Sequence, residues 1–197
     1  MMGWMVFFMQ SLLSSRGIVL LGALLCLSCV VADEQKNIRF LEKTIRASEQ
    51  GLVLDAVVGV QLSGEAEKAL KSGVPLVWAV TARLWQSRAI IWDEKIAEVV
   101  YRYQISYHAL MDVYRVKDEQ SGAEKTFTSL QLALNEIGGL KNILITADRS
   151  ISKKTHYSIG LLFALDKERL PVPLRLVAYY DPGWVLTSQW DIWSFQK

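Results

Sequence analysis

Apolar and polar residues alternate with a period of two along much of this chain, the pattern of strands that bury one face. Leu52, Leu54, Ala56, Val58, Val60 and Leu62 share one face of a predicted strand that follows a Glu49-Gln50-Gly51 turn. Its other face carries Val53 and Val57 but also Asp55 and Gln61. After Pro75 the pattern returns in Leu76, Trp78, Val80, Ala82 and Leu84. It returns again in Val99, Tyr101, Tyr103, Ile105 and Tyr107, with Val100, Arg102, Gln104, Ser106 and His108 opposite. Leu110 to Val116 is predicted to continue as strand, and Lys117 to Lys125 reads as a polar turn around Gly122. Tyr157, Ile159, Leu161, Phe163 and Leu165 form a further clean face.

Two helices carry clear signals. Glu65 to Ser72 lies between Ser63-Gly64 and Gly73-Val74-Pro75, a start and a stop. Thr128-Ser129-Leu130-Gln131 reads as a capping box, with Phe127 and Leu132 as its hydrophobic staple and Gly138-Gly139 as its end. Many strands and two short helices predict a mainly β (α+β) body, an antiparallel β-sandwich. The closing stretch GWVLTSQWDIWSF is expected to be one last strand. Trp184, Leu186, Trp190 and Ile192 would face the core, with Val185, Trp193 and Phe195 on the other side.

The first 32 residues break this pattern. Arg16 is their only charged group, and Ile18 to Ala32 is an apolar run of fifteen. That length suits the h-region of a signal peptide better than a membrane span. Val30-Val31-Ala32 places small residues before Asp33, so cleavage after Ala32 is the leading reading. The greasy stretch Trp4 to Met9 makes a retained anchor the second reading, and lipidation at Cys29 the third. Under each, Arg16 stays cytoplasmic and the body is exported to the outer side of the inner membrane. The expected organisation is a leader or anchor, residues 1–32, followed by a single β-rich domain, residues 33–197. Membrane association would run through the first segment.

Composition narrows the functional classes. Arg16 is the only charge before Asp33, so the body is one unit less positive than the +2 of the whole chain. No basic block accompanies that near-neutral balance, which argues against nucleic acid as a partner. Both cysteines, Cys26 and Cys29, lie in the leader, so the body forms no disulfide. Their CxxC spacing falls in an export sequence rather than a redox fold.

Four ordered blocks carry a family resemblance. Ala69-Leu70-Lys71-Ser72-Gly73-Val74-Pro75-Leu76 is the first, and Tyr101-Arg102-Tyr103 with Tyr107-His108-Ala109-Leu110, Tyr114 and Val116 is the second. Leu165-Asp166 with Leu170-Pro171-Val172-Pro173-Leu174-Arg175 is the third, and Trp184-Val185-Leu186-Thr187-Ser188 with Trp190 and Trp193 closes the series. Together they resemble the exported proteobacterial family catalogued as domain of unknown function 4390, from about Leu52 to the end. The resemblance implies export and a body of this size, and it implies no activity. It also carries an association with gene neighbourhoods that contain a membrane sensor kinase of the nitrogen-regulation type.

Catalytic chemistry finds little footing. His108 and His156 lack metal-ligand spacing, and the body has no cysteine to join them. Ser150-Ile151-Ser152-Lys153 has the Ser-x-x-Lys spacing of penicillin-binding enzymes, but it falls in one polar connector. Asp93-Glu94 and Asp118-Glu119 sit where solvated turns are expected. Asp55 and Asp112 interrupt apolar strands and are expected to face solvent or bond a turn. No cofactor or metal site is predicted.

The leading expectation is a non-catalytic exported interaction module with an envelope protein partner, a membrane sensor kinase among the candidates. Tyr101, Arg102, Tyr103, Tyr107 and His108 on one strand, with Trp193 near the end, are the candidate interaction residues. One rival is a carrier of a small apolar ligand, with Trp78, Trp85, Trp92 and Trp190 lining its cavity. The other is a hydrolase centred on His108 or His156, which needs a carboxylate and a nucleophile within reach of an imidazole.

Overall fold

The alternation in residues 52–60 becomes strand β2 (Gly51–Val60), which buries Leu52, Leu54, Ala56, Val58 and Val60 on one face. The computed structural model describes residues 37–87, 93–147 and 156–195. The leader with its two cysteines, Trp92, and the Ser150-x-x-Lys153 stretch lie outside them.

Among the described residues the other strands are β1 (Ile38–Ser48), β3 (Leu76–Gln86), β4 (Glu94–His108), β5 (Val113–Asp118), β6 (Glu124–Phe127), β7 (Gly139–Thr146), β8 (Tyr157–Leu165) and β9 (Asp191–Phe195). They form two antiparallel sheets. The smaller runs β1-β2-β7 and the larger β6-β5-β4-β3-β8-β9. Trp78 pairs with Tyr103 on one side and Leu165 on the other, which sets the inner face of the larger sheet. Leu76, Trp78, Val80, Ala82, Leu84, Ile159, Leu161 and Phe163 are buried there against Leu54, Val58, Leu140, Ile143 and Ile145 of the smaller sheet. The Trp78 and Phe163 rings stack 5.2 Å apart at its centre. The body is thus mainly antiparallel β in two layers, and it is not a closed barrel.

Three short helices accompany the sheets, one more than the pattern predicts: α1 (Gly64–Lys71), α2 (Leu130–Gly138) and α3 (Val172–Tyr180). Ser63 caps α1 by accepting from the Ala66 N–H at 3.2 Å, and Ala66 and Leu70 pack into the core. The cap of α2 is Ser129, not Thr128, and it accepts from the Leu132 N–H at 3.3 Å. That one-residue shift leaves Gln131 to donate to Asn135 at 2.9 Å instead of closing a capping box. Gly138 ends α2 against β2, where a Cβ would sit 2.1 Å from the Val58 carbonyl oxygen. Helix α3 starts at Pro171-Val172-Pro173, where a missing N–H costs nothing in the first turn.

Several expectations need correction. β1 is an edge strand whose side chains are mostly exposed on both faces, so it shows no alternation to read. β7 escapes for a related reason: Asn142 at φ 56° and two register shifts against β2 break its period. Residues 110–116 do not form one strand. The chain turns at 109–112, with Asp112 at φ 51°, before β5 begins.

The C-terminal stretch also divides. Pro182–Trp184 is a 3-10 turn, Thr187 makes an isolated bridge to Ala164, and only Asp191–Phe195 is a strand. The break resets the parity, so Trp184 and Leu186 are buried while Ile192 is exposed and Trp190 half-buried. Trp193 and Phe195 pack against the core instead.

Candidate functional site

Strand alternation decides where the six candidate residues go. Tyr101, Tyr103 and Tyr107 alternate with Ile105 on the inner face of β4 and pack against the core. The Tyr101 hydroxyl crosses to the smaller sheet, accepting from the Leu144 N–H at 3.1 Å and donating to the Leu144 carbonyl at 3.3 Å. The Tyr107 hydroxyl donates to Asp112 at 2.7 Å, and its ring lies 5.0 Å from that of Tyr114. Arg102 lies on the opposite face and pairs with Asp166 at 3.1 Å. His108 ends β4, where its carbonyl accepts from the Met111 N–H. Trp193 is on β9, three strands from β4, with the Lys43 ammonium 4.4 Å above its ring and Lys43 bonded to Asp191 at 2.6 Å. The six therefore do not converge on one surface.

The tryptophans of the carrier reading do not converge either. Trp78 is fully buried on the inner face. Trp85 and Trp190 meet edge to face on the outer side of the same sheet, with Arg83 4.5 Å over Trp190. Gly160 lies under that pair, where a Cβ would come within 2.7 Å of the Trp85 ring. Neither imidazole has a hydrogen-bond partner among the described residues, and no cluster of metal-ligating side chains occurs among them.

Two hollows lie beside these features. A cleft of about 370 Å³ opens where α2 and the start of β7 cross β4, β5 and β6. Tyr103, Lys125, Glu136 and Lys141 bring polar atoms to it, and Lys125 pairs with Glu136 at 2.6 Å. Burial first, then the Asp118 carboxylate, pushes the Tyr103 phenol up to about 12, so it is a neutral donor. The second hollow, about 310 Å³, lies on the outer face of the smaller sheet. Asp55 anchors its floor, accepting from the Asn142 N–H at 2.8 Å and from Arg46 Nε at 2.7 Å. Those bonds explain an aspartate in an apolar strand as a tie across three strands.

A third feature is the most exposed. Residues Val172, Leu176, Tyr179 and Tyr180 recur at i, i+4, i+7 and i+8 along α3 and all face outward. Leu176 is 63% exposed and Tyr180 89%, while the buried side of the helix offers only Ala178 and part of Leu174. Leu110, 104% exposed, and Met111 form the tip of the β4–β5 turn. Topology places both groups at one end of the sandwich. β8 ends beside the start of β3, where the Asp166 N–H bonds the Val77 carbonyl, and α3 follows. β4 ends there too, with Ile105 opposite Leu76. Helix α1 lies at this end as well, with Glu65 in its first turn packed on Gly183. This apolar end was missed in the sequence because two prolines obscure the helical spacing of 172, 176 and 180.

A family model described as Domain of unknown function (DUF4390) matches residues 35–194. The chain belongs to that family. Among the described residues the match covers every strand and helix except the last residue of β9, so the apolar end, the cleft and the Asp55 tie all lie within the DUF4390 domain. No curated protein and no solved structure matches the chain.

Proposed function

We propose that this domain is a non-catalytic interaction module of the cell envelope, exported and working at the outer face of the inner membrane. The apolar end carries the reading. Soluble monomers seldom leave a contiguous apolar surface uncovered unless it binds something. Here an outward-facing helix and a turn tip at one end of the body both carry strongly exposed apolar side chains. The hydrogen-bonded fates of Tyr101, Tyr107 and Arg102 favour structural duties for them and shift the binding role to α3 and Leu110-Met111. Export rests on the apolar leader and its placement before Asp33. A membrane sensor kinase is the envelope partner that the family association favours.

The test is crosslinking in native envelope membranes with the parent and a Leu110→Glu/Leu176→Glu variant. Both positions are exposed, so melting should stay within a few degrees. Loss of the crosslinked species is the expected result. An unchanged crosslink pattern would move the working surface elsewhere.

A further inference from the structure

We infer that two copies of this chain pair through the outer edge of β1, antiparallel and centred on Thr44, joining their smaller sheets into one of six strands. Two observations carry it, and neither depends on the working surface proposed above.

The first is which edges the fold leaves open. A sheet edge is a row of unpaired backbone groups that natural proteins shorten, cover or plug. Among the described residues the two sheets end in β6, β9, β7 and β1. β6 has four residues and β9 five, and the Tyr101 hydroxyl occupies the Leu144 groups of β7. β1 runs eleven residues, and no described strand lies on its outer side. The cations that could guard it are folded back onto the body, Lys43 to Asp191 and Arg46 to Asp55. Leu41, on the same strand, is 65% exposed.

The second is register. Ser48 and Gly51 close the two-residue Glu49-Gln50 turn, so they form a hydrogen-bonded pair and set the phase of the strand. Arg46, Thr44 and Glu42 then turn their backbone groups to β2, while Ala47, Ile45 and Lys43 turn theirs outward. A second β1 can pair with those outward groups in registers centred on one residue, and charge selects among them. Centring on Glu42, Lys43 or Arg46 sets that charge directly against its own copy, which is destabilising. Centring on Ile45 brings no opposite charges together. Centring on Thr44 sets Glu42 opposite Arg46 of the second copy twice over, in the closer, non-hydrogen-bonded pairs. It also sets Leu41 opposite Ala47 and Arg39 opposite Glu49. Glu42 has no ion-pair partner among the described residues, and the head of Arg46 is still exposed beside Asp55. The contact is isologous, so one complementary strand serves both copies.

The full chain in mild detergent, carrying Cys26→Ser and Cys29→Ser throughout, tests this. Thr44→Cys sets two thiols against each other at the two-fold axis, with Cβ atoms about 4.5–5.5 Å apart. Arg39→Cys, also exposed on β1, would sit about 34 Å from its copy. Mild oxidation should convert most of the Thr44→Cys protein to a disulfide-linked dimer and leave Arg39→Cys monomeric. Sedimentation equilibrium should show a reversible dimer for the cysteine-free parent and at least a tenfold weaker one for Glu42→Arg. Glu42 is exposed, so that variant should melt with the parent. A parent that sediments as a monomer at every concentration overturns the inference, and so does equal crosslinking at the two positions. A Glu42→Arg dimer as tight as the parent's would place the contact elsewhere and overturn it too.

Discussion

The hydroxyl of Tyr101, on the larger sheet, makes two hydrogen bonds to one backbone residue of the smaller sheet, accepting from the Leu144 N–H and donating to its carbonyl. β7 is an edge strand, and Leu144 pairs inward with Val53 of β2. The phenol thus occupies edge groups that would otherwise invite another strand. Tyr101→Phe should cost about 1–3 kcal/mol, because it strips partners from both groups at once. Hydrogen exchange at the Leu144 amide should quicken selectively. An unchanged exchange rate there would mean that water or a neighbour replaces the phenol.

The tryptophans separate by burial, not by sequence order. Trp184 ends the 3-10 turn, is 2% exposed and packs into the core, so Trp184→Ala should cost about 3–5 kcal/mol. Trp190 is half-buried on the outer face against Trp85 and Arg83. Its replacement by Ala should cost about 1–2 kcal/mol. Denaturant melts of the two variants decide the order, and a larger loss at Trp190 would contradict the outer-face placement.

Helix α2 gives a test at single-residue resolution. Ser129→Ala removes the acceptor for the Leu132 N–H and should cost about 1 kcal/mol. Thr128→Ala, at an exposed site outside the cap, should stay within about 0.5 kcal/mol of the parent. Reversal of the two effects would restore the capping box to Thr128.

Asp55 should shape the acid limb of the stability curve. The Asn142 N–H foremost, and then Arg46, hold its carboxyl below the ordinary 3.8 against the opposing effect of burial. A carboxyl depressed in the folded state contributes stability above its unfolded value and loses it as pH falls through the folded value. Stability should therefore decline on acidification from about pH 4, and Asp55→Asn should flatten that decline. Equal acid limbs in parent and variant would show that the carboxylate contributes nothing.

The phenol of Tyr103 offers a spectroscopic check on the cleft. With its ionisation pushed up to about 12, it should remain neutral well above the ordinary phenol value of about 10. A Tyr103→Phe difference titration in the ultraviolet should lose a component at the high end. Loss of a component near 10 instead would mean that the cleft is open to water.

Wherever one face of a strand is buried and the other is wet, the sequence by itself determined the structure. The inner faces of β2, β3, β4 and β8 were legible residue by residue, because a period of two admits only one way to bury Leu52 to Val60 or Tyr157 to Leu165. The family could be read from four blocks on the same grounds of local order, and the family match later covered them. What the sequence left open was decided by neighbours distant along the chain. β1 is recognisable only through β2, which supplies its hydrogen bonds, since most of its own side chains stay exposed. Tyr101 and Arg102 were read as contact residues on opposite faces of one strand, and their bonds to Leu144 and Asp166 tie them into the body instead. Trp190 and Trp193 exchanged places because a bridge from Thr187 to Ala164 reset the parity of the last strand. Alternation along a strand is local physics. Which side of the strand another element will cover depends on where the rest of the chain packs, and only the tertiary structure settles that.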